Sequence, residues 1–186
     1  MAEKLYLSYW LRNFSEQNML RYFEKLLRTF PFSKLAWQAT FRIYALEFVE
    51  PPVVETLVEP SIDQLEALIA KAKEFLNPDC CYMVDGYWEL WQFEDGWKLK
   101  PSAVSLLCQG PLFDGDLDDH VRIDAGLDSH FLPQPDHPES AAKVQSNIRS
   151  LLRLAHDLDE ILPVENRRLW SESGENFADR LQANLT

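Results

Sequence analysis

Residues Cys81–Lys100 read CYMVDGYWELWQFEDGWKLK, and the two-residue period of this stretch decides the fold. Tyr82, Val84, Trp88 and Leu90 fall on one side of an extended chain. Met83, Asp85, Tyr87, Glu89 and Trp91 fall on the other. The alternation predicts a long strand or a pair of short ones over Cys81–Phe93, with Gly86 as a candidate bulge. Glu94-Asp95-Gly96 then has the composition of a tight turn into Trp97–Lys100, the clearest hairpin in the chain.

Upstream, Lys4–Trp10 alternates Leu5, Leu7 and Tyr9 against Tyr6, Ser8 and Trp10, which predicts a first strand. Asn13 with Glu16 supplies a cap and its partner. Met19, Leu20, Phe23, Leu26, Leu27 and Phe30 follow at helical spacing, so a helix is expected over 15–29, ended by Pro31. Phe41–Val49 returns to a strand pattern and completes β-α-β. Pro51, Pro52 and Pro60 bracket an extended connector. Ser61 and Gln64 form a second capping box ahead of a helix carrying Ile62, Leu65, Leu68, Ile69, Ala72, Phe75 and Leu76, closed by Asn77-Pro78.

Downstream, Ala103–Gln109 and His120–Ala125 read as two further strands, the latter as the last, separated by the acidic turn Asp114–Asp119. Three prolines between Leu132 and Pro138 mark an irregular connector, with Pro138 at a first helical position. A long helix follows, with Ala141, Val144, Ile148, Leu151, Leu152, Ala155, Leu158 and Leu162 on one face. Pro163 stops it, and Gly174 separates a segment around Trp170 from a weak final helix with Phe177, Leu181 and Leu185 on one side. The order βαβ-α-βββ(β)-α predicts an α+β fold: a single mixed, mostly antiparallel sheet of about five or six strands with helices packed on it. One domain over 1–186 is expected, with 138–186 a helical segment packed on the sheet or used in oligomerisation.

The 186 residues are 46% apolar and 12% aromatic, enough to bury a substantial core. No run approaches the ~20 apolar residues of a membrane span, and the Leu5–Leu11 run lacks the pattern of a secretory leader. The three cysteines, Cys80, Cys81 and Cys108, have no Cys-x-x-Cys spacing, so reduced buried thiols and a cytoplasmic setting are expected. The net charge of −12 is uneven: residues 1–50 carry +2 and the remainder −14. Such a field disfavours nucleic acid and anionic membrane as partners.

Two constellations can carry function. Three of the four histidines lie among the aspartates of 114–137. Imidazole and carboxylate are the donors a divalent metal takes, so His120, Asp124, Asp128 and His130 are the candidate metal ligands. The alternating carboxylates Asp114, Asp116 and Asp118 resemble half a calcium loop, but Asp119 and Ala125 stand where that loop needs glycine and glutamate. The second constellation is the outer sheet face. Asp85, Tyr87, Glu89 and Trp91 mix acids with large rings, and Arg42 and Arg122 can align with Asp85 and Glu89 from neighbouring strands. Rings beside carboxylates suit a sugar, a peptide or a partner subunit. The alternative is that C-terminal helices cover this face and make Tyr87 and Trp91 core residues.

No nucleophile elbow, phosphate-cradling glycine loop or metalloprotease motif is present, so no catalytic residue and no cofactor is assigned. The expected function is a cytoplasmic binding or interaction module whose partner is a protein or small ligand, with self-association through the aromatic face or C-terminal helices as one route. The alternatives are a small metal-dependent enzyme at 114–137 and an acidic inhibitor of a basic partner.

Overall fold

A computed structural model describes residues 1–133, 136–137, 139–173 and 177–183. Strand β1, Lys4–Leu11, puts Leu5, Leu7, Tyr9 and Leu11 into the core, as its alternation requires. Helix α1, Met19–Thr29, buries the expected stripe but begins four residues later than its sequence suggests. Asn13 takes a left-handed conformation (φ 56°) and is no cap. Asn18 holds the cap position without a side-chain bond to the helix, and its side chain ties Ser15 N (2.9 Å) and Asn13 O (2.8 Å) into the loop.

Strand β2, Ala39–Ala45, pairs with β3, Val54–Val58, so the extended proline-bracketed connector contains an edge strand. Helix α2, Ile62–Glu74, starts at Ser61, whose hydroxyl accepts the Gln64 N–H at 3.5 Å, and buries Leu65, Leu68, Ile69 and Ala72.

Strands β4, Cys80–Phe93, and β5, Trp97–Gln109, form one long hairpin in unbroken register from Cys81↔Gln109 to Phe93↔Trp97. Gly86 is therefore no bulge. A Cβ there would stand 3.0 Å from the Phe32 ring, so the glycine admits that ring against the strand. Strand β5 is one element rather than two, running through Pro101 beyond its pairing with β6, Val121–Leu127. A strand edge of that kind tolerates proline.

After a 3-10 turn at Asp128–Phe131, the 22-residue helix α3, Ser140–Ile161, extends about 33 Å. Its buried face uses Val144, Ile148, Leu151, Leu154 and Leu158, while Ala141 and Leu152 are exposed. The expected N-terminal Pro138 lies outside the described residues, as do Gly174 and Leu185. Val164–Ser171 is not helical: it is strand β7, paired with β1 from Leu5↔Ser171 to Leu11↔Val164. The polar run Glu165-Asn-Arg-Arg168 conceals the strand, and the free edge of β1 recruits it. Short helix α4, Ala178–Ala183, follows, and Phe177 and Leu181 are buried.

Among the described residues the seven strands make one antiparallel sheet in the order β3-β2-β4-β5-β6-β1-β7. The opening β-α-β is thus not a parallel unit, because β4, β5 and β6 stand between β2 and β1. The even residues of β4 share one core with the buried faces of α1, α2 and α3, so these three helices lie on the same side of the sheet. No described helix is long and apolar enough to cross a membrane.

Candidate functional site

Because the helices take one face, the opposite face carries the odd residues of β4 and whatever neighbouring strands place in register with them. One row across the sheet reads Leu57, Thr40, Asp85, Ser105, Asp124, Tyr6 and Trp170. The next reads Glu55, Arg42, Met83, Leu107, Arg122, Ser8 and Arg168. Arg42 lies between Glu55 (2.7 Å) and Asp85, the pairing the sequence suggests. Asp85 also accepts the Ser105 hydroxyl. Asp124 pairs with Lys4 at 3.2 Å and accepts the Gly126 N–H at 3.0 Å.

Below this row the sheet opens. The last β5–β6 pair is Ser105↔Asp124. Between Tyr6↔Asp124 and Lys4↔Leu127 strand β6 gains a residue on β1, and Gly126 sits in that bulge at φ 101°. The divergence leaves a cleft of about 620 Å³, walled by Asp85, Tyr87, Ser102, Ser105, Asp124 and His130 among others. Tyr87 is 40% exposed at its rim. His130, carried in by the 3-10 turn, has a buried Nδ1 without a hydrogen-bond partner. Burial holds this imidazole below the ordinary histidine pKa against the opposing pull of Asp128, so the ring is neutral at pH 7. The cleft therefore offers carboxylate acceptors, hydroxyls and an aromatic edge.

The remaining predicted residues fall elsewhere. Glu89 is 3.3 Å from both Ser33 Oγ and Lys34 N, accepting from each, and so fastens the loop after α1. Arg122 does not reach Asp85 or Glu89. It makes a two-pronged bond to buried Asp119 (2.8 and 2.7 Å), because the acidic turn folds back over β6. Asp119 also accepts Ser8 Oγ (2.7 Å) and Gln109 Nε2 (2.8 Å), and Trp170 Nε1 donates to Ser8 Oγ at 2.9 Å. Trp91 is half-buried beneath Lys143, whose ammonium stands 3.6 Å from the ring centroid. The outer face therefore divides: α3 reaches Trp91, whereas Tyr87 is open.

The four candidate metal ligands do not converge. His120 accepts the Leu11 N–H at Nδ1 (2.8 Å) and stacks on Phe14 at 4.2 Å. Asp128 accepts the Glu3 N–H at 3.0 Å. His120 and His130 lie beyond opposite ends of β6, and among the described residues no three His, Cys, Asp or Glu gather as a metal site. All three cysteines are free and buried, and burial pushes the Cys80 thiol up to about 11.

Sequence reasoning missed Asn147. This buried residue of α3 accepts Trp91 N (2.8 Å) and donates to Trp91 O (2.9 Å) and His130 O (2.8 Å). It clamps the long helix to the free edge of β4 and to the turn that carries His130. A polar residue on the apolar side of a helix was the only available signal. Compared with protein-family models, curated proteins and solved structures, the chain matches none of them.

Proposed function

We propose that this chain is a binding module that takes a small polar ligand, rich in hydrogen-bond donors, in the cleft between β5 and β6. The observation that carries the reading is the divergence of these two strands on the helix-free face, which leaves a ligand-sized cleft. Its two carboxylates are the strongest acceptors: Asp85 and Asp124 keep lone pairs beyond those used by Arg42, Ser105, Lys4 and Gly126 N. Hydroxyl- or amine-bearing compounds match that set, and Tyr87 supplies flat apolar area.

A thermal-shift screen of sugars, polyols and primary amines tests the reading. A ligand at 100 times its dissociation constant adds ~2.7 kcal/mol, a rise of roughly 5–10 °C for a chain of this size. Ala103 is exposed in the cleft wall, and Ala103→Trp should abolish the rise while the variant stays folded. Equal binding by wild type and Ala103→Trp would sink the proposal.

A second reading rests on a separate cleft of about 650 Å³ beside the acidic turn, where Asp116, Asp118 and Glu165 surround Trp10 and Phe14. This surface suits a cationic side chain of a basic protein. Binding of such a partner would weaken steeply between low and high salt, and a salt-independent affinity would remove this reading.

A further inference from the structure

We infer that two copies of this chain pair through the free edge of β3, joining their sheets in one antiparallel array. The two sheet edges differ in kind. The β7 edge presents Glu165, Asn166 and Arg167 exposed, and its Leu169 carbonyl already accepts the Phe177 N–H at 3.0 Å. The β3 edge, by contrast, is guarded only by its shortness and one acid. Val54–Val58 contains no lysine and no proline, its register with β2 is continuous, and its one charge, Glu55, is matched by Arg42 at 2.7 Å.

The segment is also self-complementary. Antiparallel pairing about a two-fold axis at Thr56 sets Val54 opposite Val58, Thr56 opposite Thr56 and Glu55 opposite Leu57 of the second copy. Side chains of each face then meet side chains of the same face. Val54, Thr56 and Val58 point to the helix side, where the two valines already pack on the core. Glu55 and Leu57 point to the open face with Arg42 and Thr40. No like charges stand opposite each other, because each Glu55 faces a leucine and keeps its own arginine.

Exposed apolar side chains gather at this edge. Leu57 is 70% exposed on the open face, while Trp37 (54%) and Ile62 (68%) flank Glu59 and Pro60 in a groove on the helix side. The same register brings Val53 of one copy opposite Glu59 of the other, at the mouth of that groove. Pairing also has a consequence for the cleft: Leu57 and Thr40 line it, so Glu55 of the second copy lands at its rim and adds an acceptor. The inference stands independently of which ligand the cleft takes.

Sedimentation velocity and light scattering of the whole chain test this. A species at twice the 21.7 kDa chain mass is expected, with a dissociation constant of ~10 μM or tighter. Because each copy carries −12, added salt should tighten the dimer by relieving repulsion. Leu57→Lys and, separately, Thr56→Lys should weaken it at least tenfold with unchanged circular dichroism. Leu112→Lys, at a position that is also 70% exposed but in the turn after β5, should leave it intact. A monomer at ~0.5 mM chain, or a dimer indifferent to both edge variants, overturns the inference. So does a monomer whose β3 amides gain hydrogen-exchange protection only when an extended peptide is added, an outcome that assigns the edge to a foreign strand.

Discussion

Asp119 shows what a single carboxylate costs and contributes when water is removed from it. It is buried, and its two oxygens are satisfied by Arg122, Ser8 and Gln109. Such a pair adds little net stability over an apolar isostere, yet removing one partner strands the other charge. Asp119→Ala should therefore cost ~3–5 kcal/mol in urea unfolding, far more than an exposed aspartate such as Asp116, whose removal should stay within ~0.5 kcal/mol. Asn147→Leu leaves Trp91 N, Trp91 O and His130 O without their side-chain partner and should cost ~2–4 kcal/mol by the same assay. Two histidines set the pH response. Burial lowers the pKa of both His120 and His130, so the unfolded chain binds protons more readily than the folded one. Their effect on stability is absent above the unfolded value of ~6.5 and grows as a loss as pH falls from there toward the folded pKa. Denaturant midpoints should drop over that window, and His130→Asn should flatten the drop. An unchanged slope in the variant would show that His130 does not titrate there.

At the level of elements, the bulge in β6 matters most. Gly126 occupies φ 101°, and a Cβ there would meet Ser102 Oγ at 3.2 Å. Gly126→Ala should cost ~1–3 kcal/mol and draw β5 and β6 together or distort the turn that carries His130. Ligand-induced thermal shifts should shrink with it, while Gly96→Ala at the distant hairpin should cost stability without touching them. The β4–β5 hairpin was legible from its period because a two-residue alternation through Tyr82–Leu90 has no helical reading. Its turn was legible because Asp95 and Gly96 take positive φ at low cost. The start of α1 was misplaced because Asn13 and Asn18 are equivalent cap residues in composition. Only the chain reversal after β1, with Asn13 in a left-handed turn, selects Asn18.

Across the whole molecule, β1 is an interior strand although it comes first in the chain, with β6 on one side and the edge strand β7 on the other. Native-state exchange should find the slowest amides in β4, β5, β1 and β6. Those of β3 should be fast in dilute monomer and slow in the concentrated dimer. The alternation of Leu5–Leu11 and Tyr82–Leu90, and the stripes of Leu20–Leu27 and Leu65–Ala72, settle which side chains are buried, because burial follows a local period. They therefore settle the α+β class. Strand order, the pairing of Glu165–Arg168 as β7 and the pairing of Arg122 with Asp119 rather than Glu89 have no local signature. Each depends on which free edge or buried charge lies within reach once the helices have taken one face of the sheet. The cleft is of that second kind. Its walls come from six strands and a turn, and it exists because β5 and β6 part at a glycine bulge. Periodicity could show that Tyr87 belongs to a second face. Only the packing of the helices against the opposite face, with α3 reaching no further round than Trp91, left Tyr87 open.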